Sequence, residues 1–184
     1  ISDIDFLKTL PKREIICGYA EIFKHSLIFE KKFFSFLDKN ANEILNLKSP
    51  FIEKSIVKSC EIKKIIVELD EKEKSLRKIL NFGHTFGHAI ESYYISKGTA
   101  ILHGYAVLLG ILCEIEISNL SMKEKVEISN YISNNFQLPD MPKKDKLFNF
   151  IKQDKKNFSE RVNFSLLNGI GNCTVDNLFK INEL

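Results

Sequence analysis

The stretch Arg77-Lys78-Ile79-Leu80-Asn81-Phe82-Gly83-His84-Thr85-Phe86-Gly87-His88-Ala89-Ile90-Glu91 limits what this chain can become more than any other. Arg77, Asn81, His84, His88 and Glu91 follow one another at four, three, four and three residues, so a helix through the stretch carries all five on one face. Among its polar side chains only Lys78 and Thr85 fall off that stripe. A polar stripe ordinarily faces water. Here the positions between are Ile79, Leu80, Phe82, Phe86, Ala89 and Ile90, apolar enough to bury the remaining surface, so the stripe reads as the wall of a buried polar pocket. Gly83 and Gly87 each cost ~1 kcal/mol against alanine inside a helix. A close approach by another backbone or by a ligand at these positions offsets that cost.

With 184 residues, 44% hydrophobic and 28% charged, the chain has the composition of an ordinary globular protein with one full-sized core or two small ones. Its net charge of +3 is scattered in pairs such as Lys31-Lys32, Lys63-Lys64, Lys143-Lys144 and Lys155-Lys156. That is too weak and too dispersed for a nucleic-acid footprint, and it suits a pocket for a small anion. Cys17, Cys60, Cys113 and Cys173 form no Cys-x-x-Cys pair and read as reduced thiols of a cytosolic protein. No apolar run approaches the ~20 residues of a membrane span, and no signal peptide is evident. The start at Ile1 favours a piece of a longer protein.

Along the chain, helical patterns dominate. A short polar lead ends at Leu10-Pro11, and apolar spacing predicts a helix from Arg13 to Phe29. Within it Glu21 and Lys24 read, taken alone, as an exposed ion pair contributing a few tenths of a kcal/mol. Further helices are predicted over Phe33–Leu37, Ala41–Leu47 and Phe51–Leu69, the last after a Ser49-Pro50 start signal and with Lys63 off its apolar side. Asp70-Glu71-Lys72-Glu73-Lys74 reads as a solvated connection to the Arg77 helix. Ser92–Ala100 is predicted as a loop, and Leu102-His103-Gly104 opens another apolar helix. Ser121 with Glu124 three residues on forms a capping box that starts a helix reaching about Asn134. Leu138–Pro142 is a turn-rich link, Lys146–Ile151 a short helix, and Gln153–Glu160 a polar, basic run. Val162–Leu167, the Asn168-Gly169 turn and Cys173–Val175 read as a strand, a turn and a second strand. The fold class is therefore mainly α, with a short β hairpin near the C-terminus.

Histidines at i and i+4 on a helix reach one metal ion, and His103 on the following element offers another imidazole. A lone His-x-x-x-His is a weak signal. Here three of the four histidines fall on adjacent elements. A catalytic zinc commonly takes three protein ligands, often two histidines and a carboxylate, and leaves a position open. Glu21 is the first carboxylate to test, although composition alone does not select it over Glu73 or Glu91.

Leu80–Glu91 followed by Leu102-His103-Gly104-Tyr105-Ala106-Val107 closely resembles the 3-dehydroquinate synthase family of the shikimate pathway. Thr9-Leu10-Pro11, Gly18-Tyr19-Ala20-Glu21-Ile22-Phe23-Lys24, Asp70-Glu71-Lys72-Glu73, Asp154-Lys155-Lys156-Asn157 and Leu166–Gly171 also fit that family's pattern, so the resemblance covers essentially the whole chain. It implies the helical C-terminal domain of a two-domain enzyme. The N-terminal Rossmann-like domain that binds NAD in the family has no counterpart here, since no dinucleotide-type glycine fingerprint occurs.

Carried over residue by residue, the resemblance implies Glu21, His84 and His103 as zinc ligands, with cobalt equally suited to two imidazoles and a carboxylate. It implies Lys24, Lys63, Arg77, Asn81 and one of Lys155 and Lys156 as contacts to a sugar-phosphate substrate. His88 and Glu73 resemble the proton-accepting positions, and His88 fits better because imidazole titrates near neutrality. The implied reaction converts 3-deoxy-D-arabino-heptulosonate 7-phosphate to 3-dehydroquinate and phosphate, with NAD acting catalytically, in a cytoplasmic homodimer. Cys17 and Tyr105 depart from the family pattern, at positions for asparagine or a small residue and for glutamate. Alternatives are another sugar-phosphate cyclase, a polyol dehydrogenase of similar fold, which needs fewer anion-binding residues, and an isolated metal-binding or oligomerisation module.

Overall fold

The computed structural model describes residues 3–154 and 161–180. After a 3-10 turn at Ile4–Thr9 come α1 (Lys12–Phe29), α2 (Lys31–Lys39), α3 (Ala41–Leu45) and α4 (Phe51–Leu69). A second 3-10 turn, Leu76–Asn81, leads to α5 (His84–Ser96), α6 (His103–Glu116), α7 (Met122–Asn135) and α8 (Lys144–Asp154). β1 (Arg161–Leu167) and β2 (Cys173–Lys180) close the fold as an antiparallel pair. The mainly α class and the terminal hairpin are as predicted.

The axis of the assembly is α6. Its sequence is apolar around most of its circumference, which demands burial on all sides. Val107, Leu108, Ile111 and Ile115 face a larger core with Phe23 and Leu27 of α1, Phe34 of α2, Ile62 and Ile66 of α4, and Tyr131 of α7. Ala106 and Leu109 face a smaller core with Phe86 and Ile90 of α5, Leu147 and Ile151 of α8, and Val162, Phe164 and Leu166 of β1. In the larger core the Phe23 and Tyr131 rings stack at 4.6 Å, and the Tyr19 and Tyr131 hydroxyls hydrogen-bond to each other. α7 begins with the predicted capping box, Ser121 accepting from the Glu124 amide and the Glu124 side chain accepting from the Ser121 amide, an arrangement contributing ~1 kcal/mol.

Three expectations are corrected. The Arg77–Glu91 stretch is not one helix. Residues 76–81 form the 3-10 turn, the chain turns at Phe82 and Gly83, and Gly83 adopts φ +80° before α5 begins at His84. The break is held by Glu114 of α6, fully buried, whose carboxylate accepts the Gly83 N–H at 2.6 Å. Second, Ser92–Ser96 continue α5, and the loop starts at Lys97. Third, Asp70 is no part of a solvated connection. It is buried and accepts the backbone N–H groups of Lys74, Ser75 and Arg77 at 2.9, 2.7 and 3.0 Å, folding the charged run back on itself. Those hydrogen bonds, the Ser75 amide foremost, hold its carboxyl below the usual carboxylate range.

The glycines of the central stretch serve helix-to-helix contact. A Cβ on Gly87 would lie 3.3 Å from the Ala106 carbonyl oxygen, and one on Gly110 would fall 2.0 Å from the Gly83 oxygen. The α5 and α6 backbones therefore touch. Because backbone at this seam has nowhere to move, Gly110→Ala is expected to destabilise the fold by ~3 kcal/mol, at the upper end of overpacking costs. Gly18, inside α1, is the contrast, since a Cβ there would meet nothing within 4 Å. Gly18→Ala is expected to stabilise by ~0.5–1 kcal/mol. Urea denaturation of the two variants checks both signs.

Candidate metal centre

Three elements converge on one point. α1 brings Glu21 and Lys24, the Gly83 break sets His84 at the first position of α5, and His103 is the first residue of α6. The start of α6 is pressed on α1, since a Cβ at Gly104 would fall 2.3 Å from the Cys17 Cα. As a result Glu21 Oε1 lies 3.7 Å from His84 Nε2 and 3.9 Å from His103 Nε2, and one donor atom from each of the three residues lies within 4.8 Å of the others.

The hydrogen bonds around these groups leave the same atoms available. His84 Nδ1 donates to the Phe82 carbonyl at 3.2 Å, and His103 Nδ1 donates to Glu91 Oε1 at 3.0 Å. In the neutral form of each ring this leaves Nε2 as the lone-pair nitrogen, on the side of Glu21. Glu21 Oε1 is buried without a hydrogen-bond partner, a costly arrangement for a carboxylate oxygen unless something positive shares the site. Two bonds of ~2.0–2.2 Å from one divalent ion span at most ~4.4 Å. Both Glu21–imidazole separations fall inside that span and the three donor atoms lie within 4.8 Å of one another, so a carboxylate and two imidazoles, donor types that a divalent ion takes, are gathered at one point.

Electrostatics favour a neutral His84 and an ionised Glu21. Burial, with the Lys24 charge beside it, pushes His84 down to about 4, so its imidazole is neutral at pH 7. Burial raises the Glu21 carboxyl, but the Lys24 ammonium and the nearby imidazoles more than offset this and hold it below its ordinary value. Lys24 itself is only 3% exposed, and its Nζ donates to Glu21 Oε2 at 2.8 Å and to the Leu80 carbonyl at 2.7 Å. Burial draws its ammonium down and Glu21 draws it up. The expectation of an exposed ion pair is therefore wrong: α6 and the 76–81 turn cover this face of α1.

A cavity of about 330 Å³ opens at His84, the one of the three ligand-type side chains in its wall, and is lined also by Glu73, Asn81, His88 and, from the hairpin, Ser165 and Asp176 among others. The His88 ring centroid stands 5.5 Å from that of His84 and 6.3 Å from that of His103. Asn81 Nδ2 donates to Glu73 Oε1 at 2.9 Å. Other expected contacts do not line this cavity. The Arg77 guanidinium donates to the Glu71 carbonyl at 2.8 Å. Lys63 is exposed on α4, although near enough that Lys24 and His25 feel its charge. Lys155 and Lys156 lie outside the described residues.

Lys78 and Thr85 also line the cavity, although a helix wheel drawn through the Gly83 break points them away from the polar stripe. Glu91 is in the sequence a stripe member and one of three candidate carboxylates, and its hold on His103 comes from the α5–α6 crossing. Asp176 carried no signal at all.

The family described as "3-dehydroquinate synthase C-terminal" matches residues 18–157. The chain is 45% identical over 181 residues to a 3-dehydroquinate synthase of Pelagibacter ubique (strain HTCC1062), covering 93% of this chain and 49% of the relative. It is 40% identical over 185 residues to one of Thermoanaerobacter sp. (strain X514), covering 94% and 50%. The chain thus spans about half the length of the curated relatives it matches. Among solved structures, a 2-epi-5-epi-valiolone synthase from Streptomyces hygroscopicus subsp. jinggangensis 5008, with NAD+ and Zn2+ bound, aligns with a TM-score of 0.81 at 20% identity over 98% of this chain and 52% of that one. A 2-deoxy-scyllo-inosose synthase complexed with carbaglucose-6-phosphate, NAD+ and Co2+ aligns with a TM-score of 0.79 at 21% identity over 95% and 51%. These two likenesses establish a shared fold.

One consequence of the burial can be tested without any metal. His25, packed behind Lys24, donates or accepts through Nδ1 with Ser59 Oγ at 2.7 Å, its Nε2 is buried without a partner, and burial pushes its pKa down to about 4. In the unfolded chain a histidine takes up its proton near pH 6.5, whereas the folded chain refuses it until about 4. Stability is therefore full above pH 6.5 and falls as pH drops towards 4, by ~3 kcal/mol for His25 alone. Urea midpoints of metal-free chain between about pH 7 and 4.5 should show that fall, and His25→Asn should flatten it.

Proposed function

Because this chain belongs to the 3-dehydroquinate synthase family, we propose that it is the metal- and substrate-binding half of a 3-dehydroquinate synthase, converting 3-deoxy-D-arabino-heptulosonate 7-phosphate to 3-dehydroquinate and phosphate. The observation that carries this reading is the buried, unpartnered Glu21 Oε1 facing the Nε2 atoms of two imidazoles whose Nδ1 atoms are already engaged. Relatives at 45% and 40% identity favour this substrate over those of the cyclases that share the fold at 20% and 21%.

Glu21, His84 and His103 hold a divalent ion, zinc or cobalt, and Glu91 fixes the tautomer and ring plane of His103. When bound, that ion supplies Lewis acidity towards a substrate hydroxyl, and NAD, carried by a separate nucleotide-binding half, supplies a reversible hydride acceptor. Lys24 keeps Glu21 ionised and oriented through its 2.8 Å ion pair. His88, exposed at the cavity beside His84, takes up the proton released from the substrate at an imidazole nitrogen. Glu73 serves as a second acceptor, oriented by the Asn81 amide. Lys63, Arg77 and one of Lys155 and Lys156 are carried over as contacts to the substrate's carboxylate and phosphate from their places in the family pattern. For Arg77 this requires the guanidinium to leave the Glu71 carbonyl, a charge-assisted exchange that an incoming carboxylate favours. The chain alone binds metal without turning over substrate, because hydride transfer needs the nucleotide-binding half.

Metal content of chain purified without chelator tests the centre. One equivalent of zinc or cobalt is expected in the parent and its loss in each of Glu21→Ala, His84→Ala and His103→Ala. A folded parent that takes up no metal, or variants that retain it, would overturn the assignment. In enzyme reconstituted with a nucleotide-binding half, His88→Ala is expected to lower kcat by ~10²–10⁴-fold while metal content stays unchanged.

A further inference from the structure

Lys78 and Asp176 meet at the cavity wall, Lys78 off the polar stripe of the Arg77–Glu91 stretch and Asp176 outside every motif read from the sequence. Lys78 sits in the 76–81 turn, where its carbonyl accepts from Ser165 Oγ of β1 at 2.6 Å. Its Nζ donates to Asp176 Oδ1 at 2.8 Å, and Asn163 Nδ2 donates to the same oxygen at 2.8 Å. Asp176 reaches this place through an irregularity of the hairpin. Phe164 pairs with Asn177 and Leu166 with Thr174, so the single residue Ser165 of β1 faces both Val175 and Asp176 of β2. Asp176 takes φ +60° in that bulge, and bulges of this kind re-aim a side chain.

The pair is 30% and 53% exposed, and exposed ion pairs add little to stability. A residue held in the left-handed region and a bulge that delivers it to a cavity instead point to a role in that cavity. The described residues lining it include two carboxylates, Glu73 and Asp176, and Lys78 is the one lysine or arginine among them. An ammonium carries three donors, and Asp176 meets it through one oxygen.

We propose that Lys78 is an anion-binding residue of this cavity, with Asp176 as the counter-ion that holds its ammonium at the wall until an anionic oxygen group of the substrate, phosphoryl or carboxylate, displaces it. This rests on reading the cavity as the substrate site. Lys78 thereby selects for substrates bearing an anionic group at the end that lies between the hairpin and His88.

Calorimetric titration of the full chain with inorganic phosphate and, separately, with acetate, at low ionic strength where charge is least screened, tests this. Lys78→Met is expected to weaken anion binding roughly tenfold or more, and Lys78→Arg to stay within about threefold of the parent. Asp176→Asn removes a competing charge and is expected to tighten binding about threefold. Melting temperatures of all three should stay within roughly 2 °C of the parent, since an exposed pair is being altered. A response confined to phosphate identifies the phosphoryl group as the partner, and one confined to acetate identifies the carboxylate. Lys78→Met binding both anions as the parent does, or a parent binding neither, overturns the proposal, and weaker binding in Asp176→Asn overturns the counter-ion assignment. Metal content measured on the same samples reports on Glu21, His84 and His103 separately, so failure there is distinguishable from failure here.

Discussion

The bond from the Gly83 amide to the buried Glu114 carboxylate, at the place where the α5 and α6 backbones touch, is the contact on which the rest of the molecule depends. A carboxylate taken wholly out of water needs compensation, and the amides at the start of a helix provide it through their unpaired N–H groups and the helix dipole. Phe86 N–H lies 3.4 Å from the other Glu114 oxygen. That arrangement fixes where α5 begins, and therefore where His84 stands. It also holds α5 flat against α6, whose other side packs into the larger core. Both cores and the three candidate ligands are thus referred to one seam.

Charge around the candidate centre follows the same logic of compensation. Lys24 is buried because Glu21 and the Leu80 carbonyl receive it, and Glu21 stays ionised because Lys24 is there. The histidines on either side are neutral or oriented by acceptors at Nδ1. What remains unbalanced between the three side chains is the Glu21 Oε1 carboxylate oxygen, with two imidazole nitrogens turned towards it, and it is this imbalance that the proposed divalent ion would relieve. The cavity wall beyond it is built by the terminal hairpin, whose bulge carries Asp176 to Lys78. The hairpin thereby belongs to the site as well as to the smaller core.

Helices were legible in the sequence where apolar periodicity was long, as in Phe51–Leu69, which is observed without change, and where chemistry marked a boundary, as at Ser121 and Leu102. The Arg77–Glu91 stretch looks continuous in sequence because Gly83 carries no signal that distinguishes a helix-interior glycine from a left-handed one. Its φ is imposed by Glu114, about thirty residues away in sequence. Asp70 looked like one charge in a charged run, since the three amides it gathers become its partners only once the chain has turned.

The residue types of the candidate site, two histidines and a carboxylate among family-specific neighbours, were determined by the sequence alone, because ligand chemistry resides in the side chains and their order along the chain. The depth of Lys24, the break at Gly83, the turning of Arg77 to the Glu71 carbonyl and the meeting of Lys78 with Asp176 were decided only by the tertiary structure. Each arises where elements distant in sequence press together, and burial, backbone approach and hydrogen-bond competition are properties of that contact and not of either segment.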